Sequence, residues 1–293
     1  MLGKGSDGEV YEILDENDYV VKYIQPKICG VENYLEYYIM LNLNHPNLVS
    51  AKEVEVNKYN LVKIVQRRAI SNLCIKIKNK KTIFKQIVEG IRFLNSFNIL
   101  HGDIKPSNIL IFDDDVVKIN DFSLCRFVDS KSTRQLYTYH FRPPEANKGN
   151  CHLKSDVFAL GCTLYELYYG ESYYDKRVQT KIHIPRKPNK KDKQFLDLIY
   201  NMTKPDVNSR FSIEDVCNHS FFEKLDFQKR TYVKKDSYKH LEIIQNRSNF
   251  SDIFIKKCMN EVLDLCIDYS SLDFKASLLK FNFFKFVFEN DFL

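Results

Sequence analysis

The sequence predicts an α+β molecule of two unequal lobes, a small β-rich lobe followed by a larger helical one. Short alternating segments crowd residues 1 to about 68, apolar residues recur at helical spacing from Lys80 onward, and the chain opens on a glycine-rich hairpin. With 293 residues, 44% of them apolar, the chain can bury a sizeable core. A formal charge of +6 with 28% charged residues admits polyanionic ligands, without selecting nucleic acid among them.

Compartment follows from what the sequence lacks. No apolar run is long enough for a membrane helix, and "MLGKGSDGEVYE" lacks the apolar stretch of a secretory signal. Eight cysteines are scattered without a Cys-x-x-Cys pair, as reduced thiols are. The expectation is an intracellular protein, cytoplasmic or nuclear, with no membrane partner and no specific nucleic-acid partner.

In the first lobe, "EVYEILDENDYVVKYI" alternates around an Asn-Asp turn, as paired strands do. The stretch "VENYLEYYIMLNL" then carries Leu35, Ile39 and Leu43 at helical spacing, before the His-Pro-Asn break at 45 to 47. The second lobe begins with "TIFKQIVEGIRFLNSF", whose Ile83, Ile87, Ile91 and Leu94 share one helix face. The basic segment "PRKPNKKDK", 185 to 193, reads as a solvated loop.

Chemistry-bearing residues fall into ordered groups. "LGKGSDGEVY" sets Leu2 ahead of Gly3, Gly5 and Gly8, with Val10 two positions further on. Glycines let a backbone approach phosphate oxygens without side-chain clash, and the valine can cover an adenine ring. A dinucleotide-binding turn would need a helix directly after the glycines, where this sequence has strands. Lys22 follows on a strand, fourteen positions before Glu36 on the predicted helix. A lysine on its own usually faces water; paired with a carboxylate it can present its ammonium to nucleotide phosphates.

The densest group is "HGDIKPSNIL" followed by "VKINDFSLCR", with Asp103 and Asp121 eighteen positions apart. A loop, a hairpin turning at 113 to 115 and a second returning loop would bring both acids to one cavity. Asp103 would orient a hydroxyl and accept its proton, and Lys105 would neutralise charge on a transferred phosphoryl group. Asn108 and Asp121 would hold Mg2+, which prefers oxygen ligands and phosphates.

On these motifs residues 1 to 222 resemble the eukaryotic protein kinase family, of serine/threonine type because Lys105 stands two positions after Asp103. The resemblance implies a bilobal protein-kinase-like fold, with an N-lobe over about 1 to 68 and a C-lobe over about 69 to 222. It implies ATP and Mg2+ as cofactors and the serine or threonine hydroxyls of a protein as substrate. It makes Glu36 the ion-pair partner of Lys22, Thr138 a contact of Asp103 and Lys105, Glu145 of "RPPE" the partner of Arg210, and Asp156 a brace beneath the Asp103 loop. "RPPE" also resembles, distantly, the cyclin-dependent kinase branch, although the 54 positions from Asp156 to Arg210 are too few for that branch's long insertion.

Three departures accompany the resemblance. Gly102 stands where most members have an arginine that grips a phosphorylated segment, so phosphorylation at Ser130, Ser132 or Thr133 is expected to matter less. Ser123 replaces the glycine after Asp121-Phe122, and slower switching is expected there. The glycine loop begins two residues after Met1, which leaves almost no first strand and implies a trimmed sheet or a fragment.

Residues 223 to 293 lie outside the resemblance and read as a helical, aromatic-rich extension. "DIFIKKCMNEVLDLCI" and "SLLKFNFFKFVF" would pack on the large lobe or dock a regulatory partner. The reading is a serine/threonine protein kinase. A pseudokinase scaffold and a small-molecule kinase on the same fold are the alternatives.

Overall fold

The computed structural model describes residues 1–5, 8–14, 18–24, 32–56, 61–73, 79–128, 136–173, 192–223, 225–227 and 242–243. The chain forms two compact units, one holding Met1–Asn44, Val49–Arg68 and Val233–Leu293, the other His45–Leu48 and Ala69–Tyr232. Residues 185 to 191, residues 129 to 135 with Ser130, Ser132 and Thr133, and both aromatic-rich C-terminal stretches lie outside the described residues.

The first unit is built on a sheet. Strands β1 (Gly3–Gly5), β2 (Gly8–Glu12) and β3 (Tyr19–Ile24) pair antiparallel in sequence order. Helix α1 (Glu32–Asn42) follows, then β4 (Ala51–Val56) and β5 (Val62–Arg67). With β11 (Glu242–Ile243), which lies parallel to β4, the strand order is β1-β2-β3-β5-β4-β11. The core side chains include Val20, Val21, Ile64 and Val65 of the sheet and Leu35, Ile39 and Leu43 from the α1 stretch, all buried. One row of the ladder runs Gly3, Val10, Lys22, Ile64 across four strands, so Val10 and Lys22 are direct cross-strand neighbours.

The second unit is mainly helical. It contains β6 (Ser71–Asn72), α2 (Lys80–Asn95), β7 (Ile99–Leu100), β8 (Ile109–Ile111), β9 (Val117–Ile119) and β10 (Arg126–Phe127). After these come α3 (Leu153–Tyr169), α4 (Lys193–Met202) and α5 (Ile213–Cys217). The α2 stripe Ile83, Ile87, Ile91 and Leu94 is buried, as its spacing predicts. Helix α3 is apolar nearly all round, and from Ser155 to Tyr165 every residue is buried. It ends at Gly170, whose φ of 79° supplies the left-handed turn of a helix C-cap. Strands β8 and β9 form the short hairpin expected between the two acidic loops, turning through a 3-10 segment at Asp113–Asp115. Cys125, Cys151, Cys162 and Cys217 are buried free thiols. No helix among the described residues is long and apolar enough to cross a membrane.

Candidate active site

The loop from His101 to Asn108 leaves β7 and would be free to wander without a foundation. Asp156 on α3 supplies one: its Oδ2 accepts the His101 N–H at 2.7 Å, and its Oδ1 accepts the Gly102 N–H at 3.1 Å and the Tyr137 hydroxyl at 3.0 Å. Asp156 is fully buried, which pushes its pKa up against the pull of His101 and of the donors around it. Thr163, about two turns further along α3, donates to the Ile104 carbonyl at 3.1 Å. A rigid, buried helix thus sets both halves of the loop. The brace expected of Asp156 is present.

Asp103, held by that loop, has both carboxylate oxygens hydrogen-bonded. Lys105 Nζ donates to its Oδ2 at 2.5 Å, and Thr138 donates to its Oδ1 through both N–H (3.0 Å) and Oγ1 (2.7 Å). Lys105 also donates to Thr138 Oγ1 at 3.0 Å, which closes the triangle. Burial alone would raise the Asp103 pKa. The bonds from Lys105 and Thr138 and the adjacent ammonium outweigh burial and hold the carboxyl below the usual carboxylate range. Asp103 is therefore a carboxylate at neutral pH.

Asn108 turns its amide nitrogen to Asp103, donating to the backbone carbonyl at 2.9 Å and to Oδ2 at 3.2 Å. Its Oδ1 consequently faces away from Asp103. The Asn108 carbonyl accepts the Asn120 N–H at 2.8 Å, so the chain delivers Asp121 next to the Asn108 segment. Asp121 has a φ of 64°, and its buried Oδ1 has no hydrogen-bond partner. A buried carboxylate oxygen without a donor is costly, and a cation is the ligand that satisfies it. The donor set, one amide oxygen and one carboxylate, fits Mg2+ completed by phosphate oxygens. Among the described residues no cluster of three or more His, Cys, Asp or Glu side chains could hold a metal by itself.

Behind the loop, Glu145 and Arg210 form a bidentate pair at 2.6 and 3.0 Å. All five Arg210 N–H donors are used, the remaining three on the carbonyls of Lys204, Lys154 and Pro205. Its guanidinium also lies 4.9 Å from the Phe158 ring centroid. Arg210 is 1% exposed. Burial would raise the Glu145 pKa, but Arg210 and the Ser155 hydroxyl hold it below the ordinary glutamate value.

In the sheet unit, Lys22 Nζ lies 3.6 Å from Glu36 Oε1, with side-chain exposures of 14% and 5%. The lysine is an inward-facing, paired ammonium and not a solvated one. Gly3 and Gly5 sit on β1 opposite Val10 and Gly8, and Leu2 is exposed, its N–H donating to the Val10 carbonyl at 2.8 Å. Gly8 has a further reason to be glycine that phosphate access does not supply: a Cβ there would collide with the Tyr23 carbonyl oxygen on β3. Gly102, at φ +77°, is likewise enclosed, since a Cβ would stand 2.8 Å from the Leu124 carbonyl oxygen and 3.1 Å from Leu136 Cδ2.

Motif spacing missed three contributors. His101 is wholly buried; its Nδ1 accepts the Asp103 N–H at 3.2 Å and its Nε2 faces the Asn120 carbonyl at 3.2 Å, which links the two acidic loops. That pair of contacts puts the imidazole proton on Nε2. Arg142 donates to the carbonyls of Leu136 and Tyr137. Tyr137 bonds to both Gly102 and Asp156. The first letter of "HGDIKPSNIL" was a signal for His101; nothing local marked Tyr137.

Comparison with known proteins adds an independent finding. A family model described as protein kinase domain matches residues 1–222. CTD kinase subunit alpha of Saccharomyces cerevisiae is 27% identical over 305 aligned residues, covering 97% of this chain and 53% of the relative. Serine/threonine-protein kinase par-4 of Caenorhabditis briggsae is 28% identical, covering 76% of the chain and 40% of the relative. CTD kinase subunit alpha of Schizosaccharomyces pombe is 28% identical over 80% of the chain and 41% of its own length. The chain thus spans between 40% and 53% of the length of these three relatives.

Proposed function

Because the chain belongs to the protein kinase family, we propose that it is a serine/threonine protein kinase moving the γ-phosphoryl group of ATP to a protein hydroxyl. The observation that carries this reading is Asp103: an ionised carboxylate, held by Lys105, Thr138 and Asn108, near an Asp121 with an unsatisfied oxygen.

In this mechanism the substrate hydroxyl oxygen attacks the γ-phosphorus, the bond from that phosphorus to the β–γ bridging oxygen breaks, and ADP leaves. The hydroxyl proton passes to Asp103. A carboxyl with lowered proton affinity takes that proton late, so its first task is to orient the hydroxyl. Lys105 carries its ammonium beside the reacting group and offsets charge on the phosphoryl oxygens. Lys22, steadied by Glu36, engages the nucleotide phosphates, with Leu2, Gly3, Gly5, Gly8 and Val10 contributing the nucleotide-binding hairpin. Asn108 and Asp121 would hold Mg2+, which, when bound, neutralises phosphate charge.

Residues 1–222 are the kinase domain in this proposal, with 223–293 as an extension. Two relatives are by name subunits of CTD kinase, and this supports a regulatory partner, for which the extension is the candidate surface. The substrate is a protein. The proposed setting is intracellular, cytoplasmic or nuclear.

A transfer assay with labelled ATP and Mg2+ or Mn2+, on generic protein substrates and on the chain itself, tests the reading. Wild type should label, and Asp103→Asn should lose about 10^2- to 10^4-fold in rate. A wild type that labels nothing would hand the chain to the pseudokinase scaffold.

A further inference from the structure

Tyr137 sits in a conformation that its side chain disfavours. Its φ is 64°, in the left-handed region, and its ring is buried at 2% exposure. Such a backbone persists only where its surroundings over-determine it. Here they do so from three sides. The Tyr137 N–H donates to the Gly102 carbonyl at 2.6 Å, its carbonyl accepts from Arg142 Nε at 3.1 Å and Nη2 at 2.8 Å, and its hydroxyl donates to Asp156 Oδ1 at 3.0 Å.

What this conformation achieves is seen one residue later. Thr138 directs both its N–H and its Oγ1 at Asp103 Oδ1 from the backbone that Tyr137 leads into. Asp156 is the same carboxylate that fixes His101 and Gly102, and the Tyr137 hydroxyl shares its Oδ1 with the Gly102 N–H. One buried acid therefore anchors the loop carrying Asp103 and the segment carrying Thr138. The three donors to Asp156 are neutral, and position 102 is a glycine with no phosphate-binding side chain.

We propose that Tyr137 is a positioning residue: anchored on Asp156 through its hydroxyl, it clamps segment 136–142 to loop 101–108, so that Thr138 meets Asp103 without a phosphorylated segment. The proposal rests on the kinase reading above for its consequence in turnover, and on geometry alone for the clamp.

The test is Tyr137→Phe in the full chain, which keeps the ring and removes one donor. Two readouts are taken: steady-state kinetics, and amide hydrogen exchange at residues 136–138. The expected result is a fall of about tenfold in kcat, an ATP KM unchanged within about twofold, and about tenfold less protection at those amides. A hydroxyl bond with only a structural role would, when removed, lower thermal stability and leave kcat per folded molecule intact. Turnover within about twofold of wild type overturns the proposal. So does a loss of turnover with protection unchanged. If wild type transfers no phosphate, it is the kinase reading that fails, and exchange alone decides the clamp: protection retained in Tyr137→Phe overturns it, and protection lost upholds it.

Discussion

The Lys22–Glu36 pair and the Asp103 loop are placed by different means. Lys22 is located by strand register, between Val10 and Ile64, and its ammonium lies 3.6 Å from Glu36. Asp103 lies on a loop with no ladder of its own, and its position is held by bonds from Lys105, Thr138 and Asn108 and by its own N–H bond to His101, with Asp156 beneath. A strand inherits order from its neighbours, whereas a loop must be tied point by point. The helical unit should therefore be the more sensitive to loss of single polar side chains, and the sheet unit to loss of backbone fit.

The largest effect expected from that contrast is Arg210→Ala. It removes the ion-pair partner of Glu145 and leaves three carbonyls without their arginine donor, at a cost of about 3–5 kcal/mol in urea unfolding. A cost near that of a surface pair would break the comparison. Gly8→Ala comes next. The added Cβ meets the Tyr23 carbonyl, so β2 must shift from β3, destabilising by about 1–3 kcal/mol and raising the ATP KM. An unchanged KM would separate Gly8 from the nucleotide.

A smaller effect concerns pH. The folded-state pKa of Glu145 lies below its ordinary value, so its contribution to stability is present above about pH 4.5 and is lost as the pH falls through the folded value. Stability of wild type should fall on that acid side, and Glu145→Gln should flatten the slope; equal slopes would show that the pair does not govern acid lability. The smallest effect is expected from replacing Ser130, Ser132 and Thr133 together by alanine. With Gly102 in place of an arginine, activity should stay within about twofold of wild type. A large loss would restore a phosphate-dependent device in residues that lie outside the described structure.

Much of the site was legible in the sequence because its signals are local. The periodicity of 82–97 announced α2, the alternation of 9–24 announced β2 and β3, and the acidic and amide groups of 101–121 are spaced by one short hairpin. The resemblance to a known family extended this to pairs far apart in sequence, such as Glu145 with Arg210. Other features stayed hidden. Gly8 reads as a phosphate-loop glycine until the Tyr23 carbonyl appears beside it. Tyr137 reads as one of 18 tyrosines.

By itself the sequence determined the order of elements, the faces they bury and the residue types available for phosphoryl chemistry, since these depend on near neighbours along the chain. Only the tertiary structure decided that Tyr137 adopts a left-handed backbone, that His101 joins two loops, and that Asp156, 55 positions beyond His101, underlies both. The physical reason is that hydrogen bonds between distant segments, and the backbone angles they enforce, exist only once the chain has closed on itself.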